Sequence, residues 1–143
     1  PEILAEARRV ANNVPSMASG PIVGPLLPLL LDIGPGRLAR MDADGVDMQV
    51  LSLGSPGVQN FERDTAVRLA ALANDRLAEL VQAHPTRYAG LATFAPQDPA
   101  AAVKELERAV RRLGLKGALV NSHTAGEYLD APRYRPIFAA LQD

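Results

Sequence analysis

Residues 88–121 read YAGLATFAPQDPAAAVKELERAVRRLGLKGALVN. Tyr88 to Ala95 is an apolar run of strand length. It gives way at Asp98-Pro99, a capping residue with proline at the first helical position. The apolar positions Ala102, Val103, Leu106, Ala109, Val110 and Leu113 then share one face of a helix, with Arg111 and Arg112 in its last turn and Gly114 as its stop. A second strand run, Lys116 to Asn121, follows at once. Two strands with few charges joined by an amphipathic helix predict a parallel pair, because parallel neighbours need a crossover and are covered on both faces.

The same alternation extends outward. Upstream, a short helix through Leu38 and Met41 ends at Gly45, and Val46 to Leu53 forms a strand run. Asn60 is placed to cap a long helix whose apolar positions Ala66, Leu69, Ala70, Ala73, Leu77, Leu80 and Val81 recur at helical spacing, until His84-Pro85 closes it. Downstream, Asp130 precedes a last helix through Tyr134, Ile137, Phe138 and Leu141. Strands recurring every ~30 to 40 residues suit βα units of either a barrel or an open sheet. No strand is followed by G-x-G-x-x-G or G-x-x-x-x-G-K-[ST], so the open nucleotide-binding sheet loses support.

Ahead of this pattern, Glu2 to Asn12 has helical character. Residues 13–36 carry Pro15, Pro21, Pro25, Pro28 and Pro35 with Gly20, Gly24, Gly34 and Gly36, a density of breakers that predicts irregular structure. Yet Leu26-Leu27-Pro28-Leu29-Leu30-Leu31 is too apolar for a solvated linker. A loop packed on the core, a lid over a site and a subunit contact all fit it. The whole of residues 1–143 reads as one domain.

Fifteen Lys and Arg balance sixteen Asp and Glu along the helices, leaving no basic footprint for nucleic acid. With no cysteine, disulfides and thiolate metal sites are excluded, which fits a cytoplasmic setting. No stretch reaches the ~18 apolar residues of a membrane span, and the start at Pro1 resembles no signal peptide.

In parallel α/β folds ligands meet the C-terminal ends of strands. Those ends are Leu53-Gly54-Ser55-Pro56-Gly57, Phe94-Ala95-Pro96-Gln97 and Val120-Asn121-Ser122-His123. The Gly-Ser-Pro-Gly turn lets a ligand approach the backbone, or is simply a tight turn. Asn121 suits a carboxylate or phenol oxygen, or bonds its own backbone. His123 is the one histidine placed to act as acid, base or ligand, with a solvated loop as its plainer reading. His84, at a helix end, reads as structural. No carboxylate pair shares a strand end, two unrelated histidines cannot form a metal site, and no G-x-S-x-G elbow supports a serine triad.

The motifs L-S-L-x-x-P-x-V-Q, A-N-D-x-L-A-E, Q-D-P-x-A-A and G-A-L-V-N, in this order from about Leu31 to Phe138, resemble the first half of the amidohydrolase-2 family. Within it they are most similar to the γ-resorcylate (2,6-dihydroxybenzoate) and aminocarboxymuconate semialdehyde decarboxylases. The resemblance implies part of a (β/α)8 TIM barrel, strands two to four with their helices. It also implies a metal-dependent decarboxylase of a small aromatic acid, with one divalent zinc or manganese ion, a homo-oligomeric state, and protonation of the ring carbon before carbon dioxide leaves. The family's metal ligands, a Glu-x-His or His-x-His on the first strand, a His-Pro after the fifth and an aspartate near the eighth, have no counterparts here; His84-Pro85 ends a helix instead. Asn121, Ser55 and Phe94 are the positions the resemblance places near substrate, and the Pro/Gly-rich segment 13–36 is the one it places over the site. Two alternatives remain: a metal-dependent hydrolase of the amidohydrolase superfamily, and a catalytically inactive barrel fragment that self-associates through its exposed edges.

Overall fold

Val23–Leu31, inside the segment whose prolines predict irregular structure, is a helix (α1) in the computed structural model, which describes residues 23–142. The expected helix at Glu2 to Asn12, and residues 13–22, lie outside the described residues. Pro25 occupies the first turn, where its missing N–H has no intrahelical partner to lose, so only Pro28 interrupts the ladder. Arg37 satisfies the far end: its Nη2 donates to Leu29 O (3.0 Å) and Leu30 O (3.1 Å), and its Nε to Asp32 O (2.7 Å). A cation thus covers carbonyls that a helix terminus leaves open. Asp32 Oδ1 accepts from Gly34 N–H and its Oδ2 from Arg40 Nη2; the Arg40 bond above all holds this carboxyl below the usual carboxylate range.

Pro35–Ala43 (α2) matches the expected short helix, with Pro35 opening it. Beyond its cap at Asp44, Gly45 N–H reaches Asp42 O and Val46 N–H reaches Met41 O at 2.8 Å, the paired bonds that close a helix at a following glycine. The described residues up to Met48 and those from Gln49 onward form two separate compact units.

The second unit holds the parallel strands. β1 (Gln49–Leu51) pairs with β2 (Tyr88–Gly90) in the register Gln49–Tyr88, Val50–Ala89, Leu51–Gly90. On the other edge of β2 the chain after Gly114 joins through Lys116 N–H to Gly90 O, Ala92 N–H to Gly117 O and Leu119 N–H to Ala92 O. These bonds of 2.8–2.9 Å surround a parallel bridge between Ala92 and Ala118. The parallel order is as expected. The paired spans are much shorter than the runs Val46–Leu53, Tyr88–Ala95 and Lys116–Asn121. At β2 the cause is a side chain: the Asn74 amide accepts from Thr93 N–H and donates to Thr93 O, both at 2.8 Å, where a neighbouring strand would otherwise bond.

α3 (Arg63–Ala83) and α4 (Pro99–Arg111) pack against each other, with α3 also on β2. Asp98 Oδ1 accepts from Ala101 N–H at 3.0 Å, the expected cap. Asn60 does not cap α3. Successive turns close from Gly57 to Gly54, Gln59 to Pro56 and Phe61 to Val58, so the helix begins only after Glu62, whose side chain makes no capping bond. His84 ends α3 and meets the Tyr88 ring edge-on at 5.9 Å, in keeping with a structural role.

An antiparallel hairpin, β3 (His123–Thr124) and β4 (Glu127–Tyr128), was not foreseen. Its Ala125-Gly126 turn has positive φ at both residues but lacks the usual asparagine signal. A single 3₁₀ turn, Pro132–Tyr134, then leads into α5 (Arg135–Gln142), which packs on α4. The core gathers Ala92 and Phe94, Ala78 of α3, Ala102, Leu106 and Ala109 of α4, and Leu115, Leu129, Tyr134 and Ile137. Among the described residues no helix is long and apolar enough to cross a membrane.

Gly90 lets α3 rest on the sheet, since a Cβ there would lie 2.8 Å from Leu115 Cδ2 and 2.9 Å from Leu77 Cγ. Gly90→Ala is expected to lower stability by about 1–3 kcal/mol through overpacking. Asp98→Ala is expected to lower it by ~1 kcal/mol through the lost cap. Urea unfolding of the two variants beside the parent chain measures both.

Candidate functional site

Side chains alternate along β2 and its continuation, so Gly90, Ala92 and Phe94 turn toward the helices while Ala89, Leu91 and Thr93 turn to the opposite face. Parallel register carries Val50 to that opposite face beside Ala89, and Leu119 follows from the Ala92–Ala118 bridge. At the C-terminal ends of the strands this face becomes polar. Thr93 and Asn121 meet there around Gly57: a Cβ on Gly57 would lie 3.1 Å from Asn121 Nδ2 and 3.8 Å from Thr93 Oγ1. Three strand ends therefore converge on one point, and the residue between them has no side chain. Gly57 holds φ +61°, a conformation that glycine adopts without strain.

Two glutamines hold the turn after β1 in place. Gln59, almost fully buried, donates from Nε2 to His123 O (3.0 Å) and Thr124 Oγ1 (2.6 Å). Gln97 donates from Nε2 to Val58 O (2.9 Å) and Phe61 O (3.0 Å). The loops after the three strands are thus cross-linked by side-chain amides.

The residues expected at the site divide. Asn121 is half-buried at the convergence point, and Ser55 is exposed in the turn two residues before Gly57. Phe94 is not brought there. It is 4% exposed within the helix-side core, one residue past Thr93 and hence on the other face. His123 is exposed, its Nδ1 3.1 Å from Ser122 Oγ. Thr93 and Gln59 are absent from the residues expected at the site, and Gln97 figures only as a strand-end position. Gln59 closes the L-S-L-x-x-P-x-V-Q motif, which was the only signal for it. Among the described residues no three His, Cys, Asp or Glu side chains converge as a metal centre. A cavity of about 510 Å³ lies elsewhere, between the hairpin and α5, lined by Tyr128, Leu129, Arg135 and Phe138 among others.

The amidohydrolase family profile matches residues 30–143. The chain belongs to the amidohydrolase family. This amidohydrolase chain is 42% identical over 123 residues to the γ-resorcylate decarboxylase of Rhodococcus jostii (strain RHA1), a match covering 79% of the chain and 37% of that relative. It therefore spans little more than a third of the length of that relative. Among solved structures, it is similar to the 5-carboxyvanillate decarboxylase of Novosphingobium aromaticivorans with bound manganese and 3-methoxy-4-hydroxy-5-nitrobenzoic acid. That match has 40% identity and a TM-score of 0.86 over 99% of this chain and 43% of that one. It is also similar to the dihydroxybenzoic acid decarboxylase of Polaromonas sp. JS666 with bound manganese and 2-nitroresorcinol, at 37% identity and a TM-score of 0.80 over 99% of this chain and 42% of that one.

If the strand ends form one site, filling the space at Gly57 disturbs it. Gly57→Ala is expected to displace the Asn121 amide and to lower stability by about 1 kcal/mol through positive-φ strain. Side-chain amide resonances of Asn121 in nitrogen-15 NMR, followed with thermal unfolding, test both effects.

Proposed function

We propose that the protein carrying this chain is a metal-dependent, non-oxidative decarboxylase of hydroxybenzoate-like acids. Its fold is proposed as a (β/α)8 barrel in which β1, β2 and the segment around Ala118 serve as strands two to four. The observation that carries the reading is the likeness, across 99% of the chain, to a decarboxylase holding manganese and a nitro-hydroxybenzoic acid. The convergence of three parallel strand ends on Gly57 supports it, since ligands of such folds bind there.

In this reading the bond between the ring and the carboxyl carbon breaks, carbon dioxide leaves and the ring carbon gains a proton, with no electron acceptor needed. The residues described here orient the substrate. Asn121 Nδ2 donates to a carboxylate or phenolate oxygen, a charge-assisted bond stronger than a neutral one. Gly57 leaves the ring room against the backbone, Thr93 offers a hydroxyl beside Asn121, and Ser55 lies at the exposed lip. Phe94 packs in the helix-side core and makes no contact with the substrate in this reading. The described residues do not form a metal centre, so the proposed zinc or manganese ion would take its ligands from other residues of the full-length protein.

The full-length protein is expected to contain a divalent metal by elemental analysis and to release carbon dioxide from 2,6-dihydroxybenzoate or 5-carboxyvanillate. Asn121→Ala is expected to raise KM by about 10- to 100-fold, the equivalent of one hydrogen bond to a charged group. No metal and no carbon dioxide from any hydroxybenzoate refutes the reading. Turnover of lactones, run alongside, would assign the hydrolase activity that the family name suggests.

A further inference from the structure

A buried asparagine stands on the helix side of the sheet, behind the strand end at Thr93. Asn74 of α3 is 1% exposed and makes three hydrogen bonds: Oδ1 accepts from Thr93 N–H, while Nδ2 donates to Thr93 O at 2.8 Å and to Glu105 Oε1 at 2.7 Å. Both backbone groups of one residue are held by one planar amide, which fixes that residue's position and the direction of its side chain together. Thr93 is the residue whose hydroxyl stands at the Gly57–Asn121 corner.

Asn74 is itself immobilised from α4. Glu105 receives both Nε and Nη2 of Arg108, and Arg108 Nη1 reaches back to Asp75 of α3 at 2.6 Å. Arg108 Nη2 also donates to Ala71 O. The hydrogen bonds that Arg108 donates to Glu105, and then to Asp75, raise its pKa above the ordinary arginine value. A core asparagine serving packing alone would need its bonds satisfied anywhere nearby. Here two of the three go to the backbone of the single residue whose side chain lines the candidate site.

We propose that Asn74 is a positioning residue for substrate recognition. By clamping the Thr93 backbone and being clamped by Glu105, it sets the Thr93 hydroxyl beside the Asn121 amide at the spacing that receives the aromatic acid. This rests on the decarboxylase reading for the identity of the ligand, but the clamp can be scored without turnover. Its requirement is geometric: Oδ1 must face the N–H and Nδ2 the C=O of the same residue, which an aspartate or leucine cannot reproduce.

The test uses the full-length protein with Asn74→Leu, Asn74→Asp and the double variant Asn74→Asp/Glu105→Gln. Asn74→Asp keeps the acceptor for Thr93 N–H but sets a carboxylate against Glu105; Glu105→Gln supplies a donor in its place. Leu106→Ala, a substitution in the same core that removes no hydrogen bond of the clamp, controls for destabilisation alone. At temperatures where each variant is folded by circular dichroism, KM for 2,6-dihydroxybenzoate is expected to rise about tenfold or more in Asn74→Leu and Asn74→Asp. It is expected to recover by about threefold or more in the double variant and to stay unchanged in Leu106→Ala. Hydrogen–deuterium exchange of the segment 91–97 is expected to quicken about tenfold in Asn74→Asp relative to the parent and to slow again in the double variant. A KM unchanged in folded Asn74 variants, or raised equally by Leu106→Ala, overturns the proposal. Should Asn74→Leu not fold, the Asn74→Asp pair decides by the same criteria. Should the parent protein release no carbon dioxide from any aromatic acid, the functional reading fails by itself. Exchange at 91–97 then decides the clamp: unaltered exchange overturns it, and quickened exchange reversed by Glu105→Gln sustains it.

Discussion

The peptide of Thr93 is held by a side chain where a strand would be expected, and much of the second unit is arranged around that fact. A buried N–H or C=O left without a partner costs about 1–3 kcal/mol. β2 loses its ladder partners beyond Ala92, and Asn74 supplies both missing bonds from α3. For that amide to reach the sheet, α3 must lie close against it. The absence of a side chain at Gly90, beneath Leu77 and Leu115, makes this approach possible. Freed from the ladder at Thr93, the chain turns through Pro96 and Gln97 to cap α4, and Gln97 ties back to Val58 and Phe61.

The ion pairs sort by the same logic. Arg63–Asp64 and Arg76–Glu79 lie on exposed helix surface, where such pairs contribute little. The Asp75–Arg108–Glu105 group is different because Glu105 is mostly buried and shares its carboxylate with Asn74. Losing Glu105 would cost Arg108 the carboxylate that accepts from both its Nε and Nη2, and the Asn74 amide one of its three bonds, so the group behaves as one unit rather than three separate contacts.

Legibility followed the length of each signal. α4 was clear because thirteen residues carry a cap, a proline at the first position and an unbroken apolar face. α1 was not, because proline density outweighed the local apolar run. Neither the first-turn placement of Pro25 nor the carbonyls that Arg37 covers from outside the helix can be seen in a breaker count. Asn60 is a good capping residue that the chain uses in a series of turns, since Gln97 pins Val58 and Phe61 and the helix starts later. The β3–β4 hairpin has two-residue strands, too short for any alternation to register.

Sequence alone determined α2 to α5, the strand runs between them and their parallel pairing, because helical and strand periods are local properties of residue spacing. The family followed from motifs spread along the chain. Tertiary structure decided which strand-end residues meet. Phe94 and Thr93 are adjacent in sequence, and a one-residue step in a strand reverses the face a side chain presents. Where β2 leaves its ladder, and therefore which of the two looks toward Asn121 and Gly57, is set by an amide nineteen residues away on another element.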